Sequence, residues 1–148
     1  MIPTNIYTLL QQDPCMTVLV DLIDIAGLRE AVQTLRCATL FAPNNAAFKK
    51  LPPELIAFLV SPEGKPTLID ILLYHVTNGR QFTEKLYNGQ KLNMLNNQQT
   101  TVNKNGNNIC IIDSNGDCSK IYNKNNTTQN CSLVQKICSV LIPNLPST

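Results

Sequence analysis

The sequence has no tryptophan, one histidine, and charged side chains at only 15% of its positions. Each shortage excludes something. A net charge of +2 with scattered lysines builds no basic patch of the kind that neutralises a phosphate backbone, so nucleic acid is not an expected partner. A Cys-His nucleophile pair would have to recruit the only imidazole, His75, which lies in an apolar stretch. There is no Gly-rich phosphate loop, no Gly-x-Ser-x-Gly and no His-Glu-x-x-His. Cys-x-x-Cys is also missing, so the chelating knuckle of a zinc site is lacking and neither a metal nor a cofactor is expected. No apolar run approaches the roughly 20 residues that cross a bilayer, which argues against membrane insertion. The opening Met1-Ile2-Pro3-Thr4-Asn5 lacks the basic and then apolar character of a secretion signal. The protein is therefore expected either to stay inside the cell or to have had its signal removed.

What is present points to one domain. A chain of 148 residues can bury roughly 70% of its unfolded surface. Six cysteines (Cys15, Cys37, Cys110, Cys118, Cys131 and Cys138) are an even number, which favours disulfides and an oxidising compartment without fixing the pairing. Asn-x-Ser/Thr acceptors crowd into one polar segment at Asn125, Asn126 and Asn130, the candidate glycosylation sites.

The chain changes character near its middle. Of 18 asparagines, 15 lie from Asn78 onward, and the hydrophobic period changes at the same point. Before it, apolar residues recur at helical spacing: Ile6, Leu9 and Leu10; then Val18, Leu19, Leu22, Ile23 and Ala26; then, beyond Gly27, Leu28, Ala31, Val32 and Leu35. Asp13-Pro14 supplies a cap followed by proline at a first helical position. Thr39–Ala42 reads as a short strand that Pro43 ends, and Asn44 or Asn45 caps the helix that follows. Phe41 and Phe48 are expected to reach one core from either side of this corner. Leu55, Ile56, Phe58 and Leu59 predict another helix, and Leu68, Ile69, Leu72, Leu73 and Val76 a further one. Beyond Val76 four Asn-Gly dipeptides, at residues 78, 88, 105 and 115, mark turns that suit hairpins. The strands expected among them are Lys91–Leu95, Thr100–Lys104, Asn108–Asp113 and Ser119–Asn123, with a last strand Ser132–Ile142 stopped by Pro143. The result is an α+β domain whose helical layer comes mainly from the N-terminal half.

Three segments, in order, carry a family resemblance: Leu40-Phe41-Ala42-Pro43-Asn44-Asn45-Ala46-Ala47-Phe48, then Leu72-Leu73-Tyr74-His75-Val76, then Ser139-Val140-Leu141-Ile142-Pro143. Together, with Ala26-Gly27-Leu28 and Asn88-Gly89, they resemble the fasciclin-like domain of adhesion proteins. The likeness runs from about Asn5 to Pro143 within a single domain spanning residues 1–148. It implies a wedge of antiparallel β-sandwich or sheets with a helical layer, and a non-enzymatic module that binds a cell-surface or matrix protein or another copy of itself. An extracellular or cell-surface location goes with the same resemblance and with the cysteines, and a virion surface with the Asn, Lys and Ile richness of the second half. The sequence departs from the family at Asn44-Asn45, at Gln135 in place of a histidine, and at Cys138 in place of an aspartate. Gln135 can keep a neutral hydrogen bond but cannot titrate. Cys138 is expected to bond Cys131 or Cys118.

The resemblance also assigns receptor contact to Tyr74 and His75, flanked by Leu72, Leu73 and Val76. The residues themselves allow a different reading: an apolar flank this dense closes a helix-to-strand junction, with His75 bonded to a backbone carbonyl and Tyr74 covering the core edge. The Asn, Lys and Ile richness of the second half suits an AT-rich genome. The alternative function is therefore a structural or glycan-binding surface module of a microbe or virus. Glycan stacking would fall to Tyr87 and Tyr122, with Phe82 nearer the core, and protein adhesion ranks above it.

Overall fold

The computed structural model describes residues 4–106, 108–129 and 131–143. Helix α1 (Ile6–Gln11) begins at Asn5, whose side chain accepts from the Thr8 N–H at 2.9 Å. Asp13 caps a 3-10 turn, Pro14–Met16, in the same way and leads the chain into α2 (Thr17–Ala26). Gly27 ends α2 at φ +73°, a left-handed stop that a residue with a Cβ adopts only at a cost. Helix α3 (Arg29–Thr34) follows, then strand β1 (Ala38–Pro43).

At the corner Asn44 is the cap, its Oδ1 accepting from the Ala47 N–H at 2.8 Å to open α4 (Asn45–Lys49). Asn45 does different work: its Oδ1 accepts from the Val18 N–H at 2.9 Å and so ties the corner to the start of α2. Helices α5 (Pro53–Leu59) and α6 (Lys65–Leu73) complete the helical half.

The strands are β2 (Val76–Asn78), β3 (Lys91–Asn93), β4 (Gln99–Asn105), β5 (Asn108–Ile112), β6 (Cys118–Thr127) and β7 (Leu133–Ile137). Asn105-Gly106 and Asn115-Gly116 make the β4–β5 and β5–β6 turns; Asn78-Gly79 ends β2, and Asn88-Gly89 precedes β3. All seven strands join one sheet in the order β2-β1-β7-β6-β5-β4-β3. It nearly closes on itself. Thr77 of β2 bridges Met94 just beyond β3, and the Leu95 N–H donates to Val76 O at 2.8 Å. This is the expected α+β architecture with one difference, because β1 and β7 run parallel while the other pairs are antiparallel.

The near-closed sheet divides the interior into two cores. One lies among the helices and takes Leu40, Ala42 and Phe48; the other lies inside the sheet and takes Phe41, Tyr74, Ile111, Ile137 and Leu141. Phe41 and Phe48 therefore do not share a core as expected. Alternate residues of a strand face opposite sides, so Phe41 points away from its neighbours Leu40 and Ala42.

Two further expectations change. The helical spacing that predicted a helix through Val76 stops at Leu73, because Val76 and Thr77 pair with Leu40 and Thr39 on the edge of β1. The final strand ends at Ile137 rather than Ile142. Beyond it the Cys138 N–H still donates to Lys120 O of β6 at 3.1 Å, after which the chain turns away and its Ile142 N–H is taken by Asp113 Oδ2 at 2.9 Å.

The cysteines pair as Cys37–Cys131 and Cys110–Cys118, with Cys15 and Cys138 free. The parallel register of β1 and β7, Thr39 opposite Leu133, brings Cys37 and Cys131 side by side just ahead of both strands, with Cα atoms 4.4 Å apart. The expected Cys138 bond is thus corrected. Cys138 lies beyond the far end of β7 from Cys131, and at roughly 3.3 Å per strand residue that is well outside the reach of a disulfide. Cys118 is already committed across the β5–β6 hairpin.

Candidate functional site

The residues singled out by the sequence converge on the end of α6. Tyr74 is its C-cap and is fully buried, its hydroxyl donating to Gln99 O at 2.9 Å and lying 3.1 Å from Ser114 Oγ. Burial pushes the Tyr74 phenol above its ordinary range. One side chain so ties the helix end to β4 and to the β5–β6 turn.

His75 is buried too, and both ring nitrogens are engaged. Nδ1 lies 2.7 Å from Ile71 O, while Nε2 accepts from the Leu141 N–H at 2.9 Å. A carbonyl can only accept and a backbone N–H can only donate, so the ring is neutral with its proton on Nδ1. Desolvation lowers the His75 pKa to about 4, against a smaller upward pull from Ile71 O. The imidazole is a fixed strut between α6 and the last described segment.

The three flanking residues turn elsewhere. Leu72, Leu73 and Val76 line an apolar pocket of about 70 Å³ on the outer side of the junction. Leu19 and Ile23 of α2, Val32 of α3 and Leu40 of β1 supply the rest of its buried floor. Leu28, Leu35, Leu73 and Leu95 form a half-exposed rim. Four of the five residues assigned to contact are thus buried, and Leu73 alone reaches the surface. The rim leucines of α2–α3 and Leu95 were not singled out from sequence, since each belongs to a stripe that reads as ordinary core.

Gln135 is the residue that the resemblance sets in place of a histidine. It is fully buried, and its Nε2 donates to Gln81 O at 2.9 Å, so the neutral hydrogen bond is kept without a titrating group. Asp113 went unrecognised in the sequence. Its Oδ1 accepts from the Asn115 and Asp117 N–H groups at 3.0 Å each, and Oδ2 takes Ile142. The Asp-x-Asn-Gly order was a legible signal for that turn.

Among the acceptor asparagines, Asn126 is half-buried, with Nδ2 donating to Asn123 Oδ1 at 3.0 Å and Val134 O at 3.2 Å. Asn130 and the side chain of Asn125 lie outside the described residues. Among the described residues no group of three His, Cys, Asp or Glu gathers as a metal site would require, and no helix is long and apolar enough to cross a membrane.

Comparison with known proteins agrees with this architecture. The Fasciclin domain family matches residues 14–143. Protein sll1735 of Synechocystis sp. is 39% identical over 80 residues, 54% of this chain and 58% of that protein. Protein sll1483 of the same organism is 38% identical over 72 residues, 49% of this chain and 40% of its own length. Human periostin is 30% identical over 105 residues, covering 71% of this chain but 12% of periostin. The chain thus spans well under two thirds of each relative. In three dimensions it superposes on a FAS1 domain pair from the insect cell adhesion molecule fasciclin I with a TM-score of 0.79, at 18% identity, over 97% of this chain and 52% of that one. That likeness shows the fold, and the family as a whole occurs in adhesion and extracellular proteins. The chain belongs to the Fasciclin domain family.

Proposed function

We propose that this domain is a non-enzymatic adhesion module that binds a cell-surface or matrix protein, seating an apolar side chain of that partner in the pocket beside the Tyr74-His75 junction. The observation that carries the reading is the rim: Leu28, Leu35, Leu73 and Leu95 hold apolar surface half-exposed around a preformed floor. A volume of about 70 Å³ is far below the ~300–1,000 Å³ of small-molecule sites, so it suits one side chain of a protein rather than a free ligand. In this reading Tyr74 and His75 act from behind, holding the end of α6 so that Leu72, Leu73 and Val76 keep their places. Two disulfides favour an oxidising, extracellular or surface location. One shallow pocket per domain gives modest strength, and many copies on a surface would raise it by avidity.

The test is cell attachment to plates coated with the wild-type domain or with Leu73→Asp, each checked for an unchanged circular dichroism spectrum. Attachment to wild type alone supports the pocket. Equal attachment to both removes the pocket from the mechanism, and attachment to neither refutes adhesion.

A further inference from the structure

A second concavity, separate from the apolar pocket, lies between the loop after α1 and the β6–β7 face. Its volume is about 500 Å³, within the ~300–1,000 Å³ typical of small-ligand sites. Its lining is mixed: Gln12, Asp13, Tyr122, Asn123, Thr127 and Lys136 face it beside the apolar Leu9 and Pro14.

The backbone of β6 is deformed where this cleft forms. Successive residues of a strand normally point to opposite faces. Here the pairing with β7 slips twice, between Ile121 and Asn123 and again between Asn123 and Asn126. Consecutive residues Tyr122 and Asn123, and then Asn126 and Thr127, therefore line the same cleft. Bulges re-aim side chains in this way, and they are over-represented beside binding sites.

The chemistry gathered there is specific. Tyr122 is 46% exposed, so its ring is presented at the cleft. The Lys136 ammonium is paired with Asp13 across the cleft, which cancels the charge on its wall. Burial raises the Asp13 pKa, but the Lys136 ammonium and the Cys15 N–H outweigh it and hold the carboxyl below its ordinary range. Among the described residues the Gln12 side-chain amide makes no hydrogen bond. The Asn123 side-chain amide accepts from Asn126 through Oδ1, and its Nδ2 donates to none of the described residues.

A flat aromatic face beside planar amides, a hydroxyl and a neutralised ion pair complements a ligand with an apolar ring face and a rim of hydroxyls. We propose that this cleft binds a neutral saccharide, with one sugar ring stacked on Tyr122 and its hydroxyls bonded to Gln12, Asn123 and the Asp13–Lys136 pair. The inference does not depend on the apolar pocket. A protein partner would want a large desolvated apolar anchor at the centre of its contact; here the apolar lining, Leu9, Pro14 and Cys15, is matched by polar side chains.

The experiment is a two-dimensional ¹⁵N NMR titration of the whole chain with neutral linear hexasaccharides of glucose, mannose, galactose, xylose and N-acetylglucosamine. An oligogalacturonate of the same length serves as the charged comparison. The expected result is amide shifts confined to residues 12, 13, 15, 122–127 and 136 with at least one neutral sugar. Tyr122→Ala should weaken that binding roughly tenfold, while Tyr87→Ala, which removes an exposed ring elsewhere, should leave it unchanged. Gln12→Ala keeps the test valid if Tyr122→Ala misfolds, because Gln12 is exposed on the loop after α1. Shifts with the charged oligomer alone, shifts outside the cleft, unchanged affinity in the variants, or no shift with any neutral sugar would each overturn the proposal.

Discussion

The Leu141 N–H donates to His75 Nε2 at 2.9 Å, and through it the last described segment hangs from the end of α6. With Nδ1 facing Ile71 O at 2.7 Å, the ring bridges the backbone of α6 to that of Leu141, 66 residues beyond the histidine. A protonated ring would lose the acceptor that Leu141 needs, and it would place a charge where no water reaches.

Acid should therefore unfold this domain through His75. The native pKa of about 4 lies below the unfolded value of 6.5, so the stabilisation is complete above pH 6.5 and is lost as pH falls toward and through 4. The size of that contribution is on the order of 3 kcal/mol. Urea titrations from pH 7.5 to 3.5 should show the decline, and His75→Gln should flatten it. A wild-type profile that is level down to pH 4 would contradict the arrangement.

Tyr74 separates packing from hydrogen bonding. Tyr74→Phe keeps the ring and loses the bonds to Gln99 O and Ser114 Oγ, at a cost of about 1–2 kcal/mol. Tyr74→Ala empties a fully buried site and should cost about 3–5 kcal/mol. Thermal melts rank the two. Attachment measured per folded molecule should fall less than stability does, and a stable Tyr74→Ala protein that no longer attaches would assign the ring to direct contact instead.

Thiol chemistry should report two reactive groups in the folded chain and six after reduction and unfolding, read by alkylation and mass spectrometry. Cys15 is exposed and should react ahead of the half-buried Cys138. Replacing Cys37 and Cys131 by serine opens a loop with a sequence separation of 94 and should lower stability by about 4 kcal/mol. Breaking Cys110–Cys118, with a separation of only 8, should cost less.

Gly64, just ahead of α6, is required for space rather than for its backbone angle. A Cβ there would lie 1.8 Å from Phe58 O and 2.6 Å from Phe58 C, both backbone atoms. Gly64→Ala should destabilise by about 3 kcal/mol, since α5 and α6 must separate to admit the methyl group. Gly116→Ala meets no atom within 4 Å and carries only the strain of φ +84°, so its midpoint in urea should fall less. The reverse order would mean that α5 and α6 are not packed this closely.

Local order was written in the sequence. Asn5, Asp13 and Asn44 cap the elements they precede, Gly27 stops α2, and Asn105-Gly106 and Asn115-Gly116 turn their hairpins. These features act over a few residues, through one side chain or one dihedral, and the family segments placed them in a known architecture. What required the folded chain depends on strands that meet across many residues. The parallel pairing of β1 with β7 decided which cysteines bond, and strand alternation sent Phe41 and Phe48 to separate cores. Closure of the sheet buried Tyr74 and His75 and left Leu73 on the rim, while two register slips in β6 opened the second cleft. Register is a property of two segments at once, so neither segment carries it alone.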